Sequence, residues 1–153
     1  MSIIDRLRAL VRTLPGRGNS PATSAYSHVY EAVVSRLQRT GVRVGGTSFY
    51  PRVEVHTISE QARLDKAGCV RSLTMTVETV HNSSLEEADV INRENLALLT
   101  SDLPIAIDGG RIFGIVPDQL QDMTETSDTN KIIYRLLQSF TVWVEMQPAS
   151  DNV

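Results

Sequence analysis

The chain has 153 residues, with 15 lysines and arginines against 18 aspartates and glutamates, a net of −3 with both signs interspersed. That balance leaves no basic footprint for nucleic acid. The length predicts one domain that hides about two-thirds of the surface its unfolded chain exposes, and the single cysteine, Cys69, excludes an internal disulfide and a cysteine-rich zinc site and fits a reducing compartment.

In residues 3–14 the apolar positions Ile3, Leu7, Leu10, Val11 and Leu14 recur at helical spacing, with Arg6, Arg8 and Arg12 elsewhere on the wheel. An amphipathic helix that caps a core or docks on a neighbouring subunit is the expected outcome; lying on a membrane surface is the rarer use of such a stretch. Asp5, Arg6 and Arg8 interrupt any apolar run, so no cleaved signal peptide is expected. No window of the chain approaches the ~18 apolar residues of a membrane span. Two prolines and two glycines in residues 15–21 cannot continue a helix, and residues 1–23 read as a helix and a flexible linker.

A single α+β domain is expected over residues 24–147. Its first helix carries Tyr26, Val29, Tyr30, Val33, Val34 and Leu37 as an apolar stripe, with Gly41 placed as the stop. His28 falls on this helix as a surface or half-buried residue. Loop residues 45–51 lead into the alternating run 52–58, and residues 69–80 form its partner strand, with Cys69, Leu73, Met75 and Val77 on one side and Ser72, Thr74, Thr76 and Glu78 on the other. The charged connection 60–68 between them is a hairpin loop.

Ser84-Leu85-Glu86-Glu87 has the form of a capping box, and two acids in the first turn suit the helix dipole. The helix it opens runs to about Thr100, with Leu85, Ala88, Ile91, Leu96 and Leu99 predicted inward and Glu86, Asp89, Arg93 and Glu94 outward. Leu103-Pro104 breaks it, and Asp108-Gly109-Gly110 is a tight turn. The next run is expected to set Ile112, Gly114 and Val116 on one face and Phe113 and Ile115 on the other, with Pro117 marking an edge position or the strand's end. Polar residues 119–130 are expected to turn the chain.

Residues 131–146 form the strongest strand signal. Its even positions, Ile132, Tyr134, Leu136, Gln138, Phe140, Val142, Val144 and Met146, are apolar or aromatic in seven of eight cases, so one face is made for a core. Ile133, Leu137 and Trp143 fall out of phase and need a second cover or a partner chain. Trp143 either packs under a helix or marks a subunit contact. Residues 148–153 are a short polar tail, expected to be disordered.

Chemistry is sparse. The three histidines show no metalloprotease spacing, no nucleophile elbow or glycine-rich phosphate loop occurs, and Glu86-Glu87 is explained by capping. No catalytic residue, metal or cofactor is expected, although His56 brought beside an acid in space is an arrangement that sequence does not display. The element order α-α-β-β-α-β-β predicts an antiparallel four-stranded sheet from two hairpins, with helices packed on one face and the other face and edges open to further chains.

Four features over residues 24–147 carry a resemblance. They are a helix ending near Gly41, Tyr50-Pro51 before Val53-Glu54-Val55, the helix L-E-E-A-D-V-I-N-R-E-N-L after a hairpin, and a final hairpin. In that hairpin Gly110-Arg111-Ile112-Phe113-Gly114 answers D-T-N-K-I-I-Y-R and F-T-V-W-V-E. In pattern and order the chain resembles the tail terminator, or tail completion, proteins of long-tailed bacteriophages. The resemblance implies a virion subunit, assembled in the host cytoplasm and located in the tail or neck. Such a subunit forms a ring, usually of six, on the tail tube, stops tube polymerisation and joins tail to head with DNA passing through. Its implied partners are copies of itself, the tube protein and a head-completion or connector protein. The residues expected at a subunit or tube interface are Ile58, Arg63, Leu64, Lys66, Ile133 and Trp143. The alternatives are another head-tail connector part and, from a different class, a small α/β ligand-binding or enzyme domain.

Overall fold

The computed structural model describes residues 25–46, 48–60 and 69–147. The expected helix at 3–14, the linker and the tail lie outside the described residues. Within them the order is α1 (Tyr26–Leu37), β1 (Arg43–Val44), β2 (Arg52–Glu60), β3 (Val70–His81), α2 (Leu85–Thr100), β4 (Ile105–Ile107), β5 (Gly110–Asp122), β6 (Glu125–Thr126) and β7 (Ile132–Met146). The fold is α+β. Strands run β1-β2-β3-β7-β5-β4 across the sheet, and β6 pairs with β7 off that path.

The two expected hairpins are present, β2 with β3 and β5 with β7, and antiparallel pairing of β3 with β7 from Val70↔Glu145 to His81↔Tyr134 merges them. The sheet is larger than the four strands predicted. β1 adds to β2 in parallel, and β4 and β6 add to β5 and β7. Strands of two or three residues are too short to show alternation, which is why the sequence does not announce them.

One face of the sheet makes the core. Leu73, Met75 and Val77 of β3 lie beside Val142, Phe140 and Gln138 of β7, with Val53 and Val55 of β2 and Ile112 and Ile115 of β5. Onto this face α1 brings Val29, Val33 and Leu37, all fully buried, and α2 brings Ile91 and Leu99. Each such side chain contributes roughly 1.5–3 kcal/mol through removal from water. The parity read for β3 and for β7 from Leu136 to Met146 holds, because a covered face fixes register.

Local chemistry sets the helix ends. Following α1 comes one 3-10 turn, and the chain stops at Gly41, whose φ of 79° is left-handed backbone that suits glycine. The Ser84 Oγ accepts from the Glu87 amide at 3.1 Å, half of the capping box. The other half is not made: the Glu87 carboxylate instead lies 3.3 Å from His81 Nε2. At the far end of α2, the buried Arg36 of α1 donates to the carbonyl oxygens of Leu98, Ser101 and Asp102, satisfying a terminus that has no intrahelical donors and tying the two helices together.

Three expectations need correction. On α2 the buried positions are Ala88, Ile91, Asn92, Asn95 and Leu99, whereas Leu85 is exposed and Leu96 half-buried. Asn95 turns inward because its amide reaches the Thr79 hydroxyl of β3 at 3.5 Å. In β5 a bulge between Ile112 and Gly114 resets the alternation, so that Ile112 and Ile115 both enter the core while Phe113 and Val116 stay exposed. Finally, residues 119–130 do not all turn the chain: Pro117 takes an edge position, the other alternative read for it, and β5 does not end there. It passes through a second irregularity between Pro117 and Leu120 and continues to Asp122, where an edge strand tolerates a residue that lacks an N–H.

Candidate interaction surface

That continuation creates an arm. β5 pairs with β7 as far as Asp122↔Leu136, β6 extends the pairing to Thr126↔Ile132, and the turn is confined to residues 127–131. The turn is closed by the Ser127 amide on the Lys131 carbonyl, by the Lys131 amide on the Ser127 hydroxyl, by the Asn130 amide on the Ser127 carbonyl, and by left-handed backbone at Asn130 with φ 59°. β3 accompanies β7 only as far as Tyr134, so the hairpin beyond that register stands clear of the rest of the sheet. Every residue from Val116 to Ile132 is exposed, and the apolar members Val116, Leu120, Met123 and Ile132 are 44–53 % exposed.

The sheet face away from the helices carries a second feature, a row of charges that crosses four strands. Glu125 of β6 meets Arg135 of β7 at 3.0 Å, and Arg135 meets Glu78 of β3 at 2.6 Å. His56 Nε2 of β2 stands 3.5 Å from Glu78 and 3.4 Å from Glu54, and Glu54 lies 3.3 Å from Arg52. The register brings these residues together, since Arg52, Glu54 and His56 alternate on one face of β2, opposite Val80, Glu78 and Thr76. With His56 protonated the row alternates negative and positive from Glu125 to Arg52.

Electrostatics follow from that geometry. The polar contact with Glu78 raises the His56 pKa above 6.5; partial burial pulls the other way, and the charges of Glu78 and Glu54 add to the rise. His56 Nε2 is buried without a well-aligned hydrogen bond, so the interaction is charge attraction more than hydrogen bonding. Reciprocally, the contact with His56 first and Arg135 further down hold the Glu78 carboxyl below its ordinary 4.5, against the effect of its own burial. Glu54, His56 and Glu78 present donor atoms within 4.8 Å of one another, a spacing open to a divalent cation. Both carboxylates already face guanidinium groups, however, and those cations supply the compensation that a metal would otherwise provide.

Of the residues expected at an interface, Ile133 and Trp143 are half-buried on the face away from the helices, separated by ten residues of one strand, or about 33 Å. Trp143 is not under a helix. Its ring lies against Gly114 of β5, where a Cβ would come within 3.3 Å of the indole. Ile58 is half-buried and packs on the helix-side core. Arg63, Leu64 and Lys66 lie outside the described residues. What the sequence reading missed is the arm itself and the grouping of His56 with two acids. The second was visible as charged and titratable residues at every other position of β2, but its partners on β3, β6 and β7 depend on register.

No family model matches the sequence, and no curated protein matches it. Among solved structures, a chain of the "Virion of native gene transfer agent (GTA) particle" is similar to this one with a TM-score of 0.65 and 15% identity, over 80% of this chain and 98% of that chain. At that identity the two chains share a fold.

Proposed function

We propose that this protein is a structural subunit of a phage-like virion, with no catalytic role, and that it acts as a tail terminator: a ring of six subunits that ends the tail tube and joins it to the head. The observation that carries the reading is the overlap with a virion chain almost along that chain's whole length. Supporting it are the order of elements already compared with tail terminators and a surface suited to association. An exposed hairpin carries Leu120, Met123 and Ile132, and a half-buried Trp143 faces away from the helices. The row from Glu125 to Arg52 is a saturated set of ion pairs, which explains its charged residues without a reaction.

Light scattering and negative-stain electron microscopy of the purified chain test the reading. Closed rings are the expected result, and a monomer at every concentration overturns it. Adding the rings to a polymerising tail-tube protein separates a terminator, which stops growth, from another head-tail connector part, which leaves growth unaffected.

A further inference from the structure

The arm has an apolar face that nothing among the described residues covers. In register, Leu120 of β5 and Ile132 and Tyr134 of β7 fall on the same side of the sheet as Leu136, Gln138 and Phe140. The face that α1 and α2 cover over the body therefore runs on into the arm, where Leu120 and Ile132 are 47% and 44% exposed. On that side Asp122 stands opposite Leu136, and Asp128 lies in the turn at the tip, whereas Asp118 and Glu125 face the other side, toward Thr141 and Arg135; Lys131 is the one cation between residues 117 and 131. An apolar strip bordered by acids is complementary to an amphipathic segment with a basic flank.

The same chain contains such a segment. Residues 3–14 place Ile3, Leu7, Leu10, Val11 and Leu14 at helical spacing, and residues 3–17 hold Arg6, Arg8, Arg12 and Arg17 against Asp5 alone. We propose that the apolar side of the arm, centred on Leu120 and Ile132, is the docking site for residues 3–14 of this chain, with the arginines Arg6, Arg8 and Arg12 meeting Asp122 and Asp128. The ten residues 15–24 between that segment and Ala25 span at most about 33–36 Å, a tether that keeps the segment at high local concentration. The inference stands on charge and pattern and does not depend on the ring.

Disulfide trapping in the full-length chain tests it. In a Cys69→Ser background, Leu7→Cys is combined with Leu120→Cys, or with Ala106→Cys on exposed β4 at the other end of the sheet as control. Docking predicts a disulfide with Leu120→Cys that forms at least about tenfold faster than with the control, since docking adds to the effect of the tether. A fast-migrating monomer band on a non-reducing gel assigns the contact to the segment's own arm, and a dimer band to a neighbour's; both support the docking. Equal rates for the two pairs overturn it. A second readout guards against damage from the cysteines. With Arg6, Arg8 and Arg12 all changed to Glu, hydrogen exchange in residues 118–134 should rise several-fold, and unchanged exchange also overturns the proposal.

Discussion

Strand β7 passes through two environments with one sequence pattern. From Leu136 to Met146 its even residues are buried, Phe140, Val142 and Val144 almost completely, beneath two helices and between β3 and β5. At Ile132 the same alternation continues, but the side chain is 44% exposed because the helices and β3 have ended. Apolar patterning thus prepares a face for burial, while burial itself depends on what arrives to cover it. Where the cover is internal the pattern yields a core; where it is missing the pattern yields a surface for another segment.

Placing a carboxylate at each end of this strand gives the sharpest contrast. Val142→Asp puts an unpaired charge at a fully buried position and should cost more than about 4 kcal/mol, a large share of the total stability, read as loss of the cooperative unfolding transition. Next in size is Arg135→Ala, which leaves Glu78, with only 10% of its side chain exposed, facing His56 alone; a loss of about 1–3 kcal/mol in urea unfolding is expected. Ser84→Ala removes the acceptor for the Glu87 amide at the start of α2 and should cost about 1 kcal/mol by the same measurement.

A smaller, pH-dependent effect belongs to the row of charges. Because the folded pKa of His56 is raised, its contribution is complete below about 6.5 and is lost as the pH rises through the folded value. Glu78 behaves oppositely: its lowered pKa gives stability present above about 4.5 and lost as the pH falls through the folded value. Unfolding midpoints should therefore decline above pH 6.5 in the natural chain, and His56→Gln should flatten that limb and also weaken the acid limb, which Arg135 then sustains without the His56 contact. Least affected should be Ile132→Asp, within about 0.5 kcal/mol of the natural chain, because among the described residues no element of the core packs on the arm's apolar face. A loss at Ile132 comparable to that at Val142 would mean that the arm is part of the folding core, and the contrast between the two ends would fail.

Much of the body is legible in the sequence. The stripe Val29, Val33 and Leu37, the Ser84 cap and the alternation of Leu73, Met75 and Val77 each mark an element through a periodicity or an end signal that local physics enforces. The reading failed where a non-local choice intervened. The bulge after Ile112 reversed the expected sides of β5, and Asn92 and Asn95 take buried places on α2, Asn95 with its amide on the Thr79 hydroxyl. Residues 119–130 are polar enough to read as a loop, yet pairing to β7 keeps Gln119 to Asp122 and Glu125 to Thr126 extended as an exposed hairpin.

By itself the sequence determined which stretches would be helical or extended and which side of most of them would be greasy, because side-chain period and capping act over a few residues. Only the tertiary structure decided that Glu54, His56, Glu78, Arg135 and Glu125 form one row and that the last hairpin outruns its cover. Both depend on the register between strands far apart in the chain and on where the neighbouring elements stop.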